Sequence, residues 1–297
     1  MRKTILSLAV LFGCMAKITG QTGPGSSIND FLDAYIGTNA RPYLQPAADL
    51  LTANINTGVW DWTAIPDKVY FRIKVNGMIS YPSESMRTFT AHTSGSFMPD
   101  TSVIAPTVIG SEESILIYGE NKAIYVFPGG FDVDKVLAGT PQVTIGGFWN
   151  MELSARFLSI NIGEAEGKVD FYGIGGRYGI SGLFDDSPVD VSVGYFYHHV
   201  NAGTYVRASQ HLLSLMVGKS GKILDGHVSV GYQVANPHLH YLYEDVDLTY
   251  NVDLDMKNNN PFIAEAGLGV RLGPVFVNGA VSWARFYTFA LGGGVFF

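Results

Sequence analysis

Cysteine, charge and long apolar runs are all scarce in this chain of 297 residues, and each scarcity closes off a class of protein. The single cysteine, Cys14, stands near the amino terminus, so the body of the chain has no disulfide framework, thiolate metal centre or cysteine nucleophile. Charged residues make up only 15% against 47% hydrophobic, which is too apolar for intrinsic disorder. The 19 basic residues are outnumbered by 26 acidic ones and form no run, which argues against a nucleic-acid partner, because phosphate binding needs clustered Lys and Arg. No uninterrupted apolar stretch reaches the ~20 residues that a membrane-crossing helix needs, so a polytopic helical membrane protein is excluded. In excess are glycine, with 35 residues, and aromatics, with 18 Phe, 16 Tyr and 4 Trp, a balance that suits β-structure better than a helical enzyme.

Arg2 and Lys3 precede the apolar run Ile5 to Phe12, and small or polar residues follow to Gly20-Gln21. That layout reads as a secretory signal peptide over residues 1–20, cleaved near Gln21, and it implies export. Cleavage there takes Cys14 and three basic residues (Arg2, Lys3, Lys17) but no acidic one, moving the net charge from −7 to −10. Leu11-Phe12-Gly13-Cys14 leaves lipidation of Cys14 as an alternative, although Phe12 is bulky for a lipoprotein cleavage site.

From Gln142 onward the chain repeats one pattern: a long stretch of period-two alternation, a short turn rich in Gly, Pro, Asp or Asn, then another stretch. Between 142 and 157 the odd positions Val143, Ile145, Trp149, Met151, Leu153 and Phe157 are apolar, while Thr144, Asn150, Glu152, Ser154 and Arg156 are polar. Leu224, Val228, Val230 and Tyr232 likewise oppose Asp225, His227, Ser229 and Gln233. Phe262, Leu268 and Val270 oppose Glu265 and Arg271, and Phe71, Ile73 and Val75 oppose Arg72, Lys74 and Asn76. Successive strand side chains point to opposite faces, so each stretch has one apolar and one charged face. Soluble strands run about five to six residues, whereas a tilted membrane-crossing strand needs about nine to eleven, and these are long. Trp283, Phe286 and Tyr287 flank a turn, Tyr241 and Tyr243 begin a stretch and Tyr195 to Tyr197 end one, as in the aromatic girdles of membrane barrels.

The expected fold is all-β: a transmembrane antiparallel outer-membrane β-barrel of about twelve strands, with ten to fourteen compatible. Eleven segments read directly (68–80, 86–95, 142–157, 168–182, 188–200, 204–218, 223–235, 241–256, 261–272, 274–284 and 286–297), and a twelfth is expected near Ile115 to Phe127. The domain plan is a signal peptide (1–20), an N-terminal helical plug or periplasmic cap (21–66) and the barrel (67–297). In the front part, Ser27 caps a helix carrying Ile28, Phe31, Leu32, Tyr35 and Ile36 on one face. A second helix begins around Pro42, with Leu44, Ala47, Leu51 and Ile55 on one face and Gly58 at its exit. Both are too short to stand alone in water and need a surface, of which the barrel lumen is one. Phe31, Leu32, Tyr35, Leu44, Leu51, Trp60 and Trp62 are therefore candidates for a plug or ligand route, although the two tryptophans also suit membrane-interface anchors. Glycines of the polar faces, such as Gly231, Gly267 and Gly269, would make room for bends or for a plug.

The last stretch, Tyr287, Phe289, Leu291, Gly293, Val295 and Phe297, alternates to the carboxyl-terminal aromatic. It resembles the C-terminal strand by which barrel-assembly machinery recognises its clients, which makes that machinery and outer-membrane lipid the expected partners. Signal peptide, helical front end and long-stranded barrel together look like the outer-membrane transporters of long-chain fatty acids and other hydrophobic compounds, in layout only. No residue-by-residue match to their Asn-Pro-Ala-type hatch motif exists here. The chain more closely resembles an uncharacterised outer-membrane barrel family of the Bacteroidota, through Tyr43-Leu44-x-Pro46, Asn56-x-Gly58, Trp60-x-x-Thr63-Ala64, Tyr81-Pro82, Thr88-Phe89, Ala105-Pro106-Thr107-Val108, Pro128-Gly129-Gly130 and Pro141 to Gly146. The resemblance implies a barrel that moves or binds a hydrophobic small molecule. The alternative is a structural barrel that scaffolds an envelope or secretion complex and transports nothing.

Seven histidines raise the question of a metal. His198 and His199 face opposite ways on a strand, and His238 and His240 share a face without a carboxylate at a fixed sequence spacing, so no metal or other cofactor is expected. Asp225, His227 and Ser229 share a strand face, but i and i+2 residues are roughly 7 Å apart, beyond hydrogen-bond reach for most rotamers. No nucleophile elbow is present, and no enzyme activity is expected. Glu152, Arg156, Asp225, His227, Glu265 and Arg271 are instead candidate lumen residues, forming salt-bridged struts.

Overall fold

The alternation closes into a ring. In a computed structural model the protein is described over residues 38–297, except 95–96, 164–166, 182–186, 204–205 and 246–247. The expected first helix, with Phe31, Leu32 and Tyr35, and the leader lie outside the described residues. Among the described residues one α-helix, α1 (Ala40–Asn56), precedes fifteen strands: β1 (Tyr70–Tyr81), β2 (Thr88–His92), β3 (Ser102–Pro106), β4 (Ile115–Tyr118), β5 (Ile124–Phe127), β6 (Val136–Phe148), β7 (Met151–Gly163), β8 (Gly167–Gly179), β9 (Asp190–Ala202), β10 (Val206–Ser220), β11 (Leu224–Asp245), β12 (Leu248–Asp255), β13 (Phe262–Leu272), β14 (Val275–Trp283) and β15 (Tyr287–Phe296). No described helix is long and apolar enough to cross a membrane.

Ten strands form the barrel, in the order β1, β6, β7, β8, β9, β10, β11, β13, β14, β15, and all neighbours are antiparallel. It closes where β1 meets β15, from Arg72 opposite Phe296 to Tyr81 opposite Tyr287. The expectation of about twelve strands is thus corrected to ten. The stretches at 86–95 and 115–127 do not join the ring; they form two small hairpins, β2–β3 and β4–β5, within the 82–135 connection. The stretch beginning at Tyr241 is no separate strand either, because β11 runs on to Asp245 and pairs there with β12 alone. Tyr195 and Tyr197 lie within β9, not at its end.

The single strand expected at 142–157 is a hairpin, β6–β7, turned at Trp149 and Asn150, both at positive φ (51° and 57°) as a two-residue turn of the primed type requires. A plain two-residue turn between Phe148 and Met151 would set odd residues against even ones and flip the apolar face. A bulge at Gly147 (φ 88°) shifts the register by one, so Ile145 lies opposite Leu153 and Thr144 opposite Ser154. The phase of the alternation therefore survives the turn, which is why the turn is invisible in the pattern.

Polarity is inverted relative to a soluble protein. Outward positions are apolar and exposed, among them Leu268 at 73%, Leu291 at 66% and Val228 at 60%, while the inward positions of the same strands carry buried charge. An apolar belt far larger than a few hundred Å² is a membrane or partner surface. Exposed aromatics gather at both rims: Tyr81, Trp283, Tyr287 and Phe289 near one, Phe71, Trp149, Tyr178 and Phe297 near the other. Phe286, expected beside Trp283 in that girdle, instead points inward and is buried. The ten steps from Tyr287 to Phe297 span ~33 Å along the strand, or ~25 Å along the axis at a tilt near 40°, which is the height of a membrane barrel's apolar band.

One end of the ring, the loop end, carries the 82–135 connection with its two hairpins, the projecting part of β11–β12 and the turn 284–286. The other, the turn end, carries the short turns at 149–150, 221–223 and 273–274.

Candidate functional site

The candidate site is the lumen and the chain that passes through it. Residues 39–64 descend from the loop end to the turn end, and their contacts mark each level. At the top, the Asn39 side chain pairs with β2 as a peptide unit would, its Nδ2 donating to His92 O (2.6 Å) and its Oδ1 accepting from His92 N (3.0 Å). Tyr43 donates from its hydroxyl to Gly129 O (2.8 Å). Lower down, Asn54 Nδ2 donates to Ser80 Oγ (2.9 Å) and Val136 O (3.2 Å), and Asn56 Nδ2 donates to Gln233 Oε1 (2.9 Å). The helix forms because Tyr43, Leu44, Leu50 and Ile55 pack into the main apolar cluster, and it starts at Ala40, two residues before the expected point.

Below the helix the backbone is irregular, so its polar groups cannot pair with one another and the wall must satisfy them. Gly58, at φ 63°, is the pivot: a Cβ there would stand 2.8 Å from the Ala290 Cβ and 2.9 Å from Asn76 Nδ2. Its carbonyl accepts from Lys74 Nζ (3.0 Å), Asn76 Nδ2 (3.1 Å) and Arg156 Nη2 (2.7 Å), and its N–H donates to Glu265 Oε2 (2.8 Å). Arg156 Nη1 donates to Ile55 O, Gln142 Nε2 to Val59 O, Thr63 N–H to Asp225 Oδ2 (2.9 Å) and Ala64 N–H to Ser220 Oγ (2.9 Å). Each such group left unmet would cost about 1–3 kcal/mol.

Asp61 is the charge at the centre. Its Oδ1 lies 3.1 Å from Arg72 Nη1 and its Oδ2 3.4 Å from Lys74 Nζ. Arg72 continues to Glu152 (2.7 Å), which also holds Arg177 (3.0 Å) and accepts from the Tyr70 hydroxyl (2.5 Å). Below the mouth the buried cations Arg72, Lys74, Arg156 and Arg177, with His227 between Asp225 and Glu265, face the buried carboxylates Asp61, Glu152, Asp225 and Glu265, and a low-dielectric interior demands such pairing.

Of the residues singled out from sequence, Glu152, Arg156, Asp225, His227 and Glu265 all meet in this interior. Arg271 does not; it sits at the turn-end rim, donating to Gly273 O and lying 3.6 Å over the Phe296 ring. Leu44 is buried and Leu51 half-buried in the cluster around α1. Trp60 and Trp62, offered as interface anchors, are inside: Trp60 donates to Ser214 Oγ (2.9 Å) and packs on Phe196, and Trp62 meets Phe276 edge-on. Wall glycines make their room, Gly194 against the Trp60 ring and Gly269 against the Trp62 ring. The expectation that Asp225 and His227 stand too far apart is also corrected: the two side chains lean toward each other along the strand and bring His227 Nδ1 to 3.3 Å from Asp225 Oδ1. His198 and His199 do face opposite ways, His198 inward and stacked between Phe171 and Phe196. His238 and His240 do acquire carboxylates, Asp255 and Asp253, across the β11–β12 ladder. Among the described residues no group of His, Cys, Asp or Glu is arranged to hold a metal.

Sequence reasoning missed Asp61, Arg72, Lys74 and Arg177 as site residues, although it set Arg72 and Lys74 on the polar face of a strand. The available signal was a carboxylate between two tryptophans, Trp60-Asp61-Trp62, in a segment already expected to seek a surface.

The model of a family of unknown function (DUF6588) matches residues 1–297. The chain belongs to that family. No curated protein matches it. Among solved structures it is similar to the N-terminal β-barrel domain of Pseudomonas aeruginosa OprF (17% identity, 50% of this chain and 94% of that one, TM-score 0.23). It is also similar to the outer-membrane protease OmpT of Escherichia coli (11%, 82% and 99%, TM-score 0.31) and to the toluene transporter TbuX of Ralstonia pickettii (11%, 92% and 97%, TM-score 0.25).

Proposed function

We propose that the protein is an outer-membrane barrel with its loop end outward, closed at rest by a plug formed by residues 21–66, and that movement of this plug admits a hydrophobic small molecule. The observation that carries the reading is the inverted barrel itself: apolar belt and aromatic rims outside, balanced ion pairs around a threaded segment inside. Short turns face the periplasm in such barrels, which sets the loop end outward and delivers Thr38 to the outer mouth. A plug is favoured over a periplasmic cap because residues 39–64 bond to wall side chains at every level. A hydrophobic passenger is favoured by the loop-end half of the lumen, where Phe171, Val200 and Val206 line the wall above Phe196 and Leu212 at mid-height. Export by a signal peptide cleaved near Gln21, and recognition by the assembly machinery through the strand ending at Phe297, belong to the same reading. Phe297 suits it, pairing with Phe71 while its side chain stays exposed.

The non-transporting scaffold is the second reading, favoured by the number of buried charges that fasten the segment. Planar-bilayer recordings decide between them. Transport predicts a closed full-length protein and large steady conductance after deletion of residues 22–60, together with an apolar molecule in organic extracts of the purified protein. A barrel that folds after the deletion and still conducts nothing, or one that co-purifies with a stoichiometric protein and no lipid, refutes the plugged transporter.

A further inference from the structure

At the outer mouth, between the first turns of α1 and the wall, lies a cavity of about 270 Å³. Its apolar side is made by Pro42, Pro46 and Phe89. Its polar side has charges of both signs. Asp49, on α1, is nearly buried, and both of its hydrogen bonds, from Gln45 Nε2 (2.9 Å) and the Asn259 N–H (2.8 Å), fall on one oxygen, Oδ1. Asn260 beside it is 6% exposed, and its Oδ1 has no hydrogen-bond partner. Facing them is Arg285, in the β14–β15 turn, held at φ 69°, a backbone conformation that a non-glycine residue adopts only at a cost of about 1–3 kcal/mol and that recurs at binding sites. Arg285 is exposed and makes no ion pair among the described residues, yet its charge reaches Asp49.

We propose that this cavity is a binding site for a small zwitterion with an apolar side chain, of the size of an amino acid or dipeptide. The ligand's ammonium is received by the Asp49 carboxylate and Asn260 Oδ1, both acceptors; its carboxylate is received by the Arg285 guanidinium; its side chain lies on Pro42, Pro46 and Phe89. Two oppositely charged walls with an orphaned buried acceptor fit this class and reject both an uncharged hydrocarbon, which leaves both charges unmet, and a simple anion, which leaves the Asp49 side unmet. The volume is below that of sites for drug-sized molecules, which sets the size limit. Burial raises the Asp49 carboxyl above its ordinary value, and an ammonium beside it would restore the charged form. Because Asp49 belongs to the threaded segment and Arg285 to the wall, a bound zwitterion bridges the two and holds the segment in place. The site does not depend on the transport reading; it is complete at the mouth whether or not the segment ever moves.

Isothermal titration of the detergent-folded full chain with L-leucine as probe tests the proposal, with N-acetyl-leucine and leucinamide as ligands lacking one charge each. The expected result is saturable 1:1 binding of leucine, weakened about ten- to hundred-fold by either ligand change and by Arg285→Ala, each of which removes one charge-assisted contact. Arg285→Ala alters an exposed side chain without a partner and leaves the barrel folded, as its heat-dependent gel mobility will report; Asp49→Asn is the second variant, expected to weaken leucine and spare leucinamide least. Absence of saturable leucine binding, or equal binding of leucine to the native and Arg285→Ala proteins, overturns the proposal. Since binding is read without any conductance, its failure is distinguishable from failure of the transport reading.

Discussion

Replacing Asp61 with alanine removes the carboxylate that the threaded segment offers to the buried cations of the wall, and leaves Arg72 and Lys74 there without it. Breaking a buried ion pair from one side costs about 3–5 kcal/mol, because the remaining charge stays desolvated. The lower end applies, since Arg72 keeps Glu152 at 2.7 Å and Lys74 keeps the Gly58 carbonyl at 3.0 Å. A loss of ~3 kcal/mol in docking raises the undocked population about a hundredfold, at ~1.4 kcal/mol per factor of ten. Rare openings of the native protein in a planar bilayer would become about a hundredfold more frequent, while the barrel strands, whose ladders are untouched, keep their heat-dependent gel mobility. Adding Lys74→Met to the substitution removes one stranded cation and brings the frequency part of the way back. An Asp61→Ala protein that opens no more often than the native one, in a folded barrel, refutes the reasoning that this carboxylate fastens the segment.

Four other outcomes are expected. With Cys14→Ser as background, Thr38→Cys should react with a membrane-impermeant maleimide on intact cells and Asp67→Cys only after permeabilisation; the reverse would invert the orientation. Leu268→Arg, on the outer face, should destabilise the barrel in lipid vesicles by about 2–4 kcal/mol near the bilayer midplane, measured by urea unfolding, whereas a barrel exposed to water would be indifferent. Gly58→Ala should cost about 1–2 kcal/mol from its left-handed backbone alone, before the contact with Ala290, and should increase openings in the same recordings. Gly147→Val should lower the yield of folded barrel on refolding into detergent, because the bulge that keeps β6 and β7 in phase cannot form; an unchanged yield would show that the bulge is dispensable.

Much of the barrel was legible because its rule is local. Residues such as Val228 and Asp225 reveal their faces by position along one strand, and the outward placement of apolar side chains and the inward placement of Glu152, Arg156 and Glu265 follow from that parity. Parity also misled at two places. The β6–β7 turn was hidden because Gly147 restores the phase, and β11 was cut short because Asn236-Pro237 reads as a loop although the pair lies inside a strand of 22 residues. Hairpins such as β4–β5 have strand-like sequences but are too short to span the ring, and nothing local shows whether a strand joins the barrel or sits above it.

The sequence alone determined an all-β chain with one apolar and one charged face per strand, and a front segment that needs a surface, since those properties depend on residues two or four apart. Only the tertiary structure decided which charges meet. Asp61 finds Arg72 and Lys74, Gly58 finds Glu265, and Asp49 shares a cavity with Arg285. Closing ten strands into a ring and threading a segment through it brings together charges as far as 236 positions apart, as at Asp49 and Arg285, and an attraction that acts over a few ångströms leaves no trace in sequence spacing.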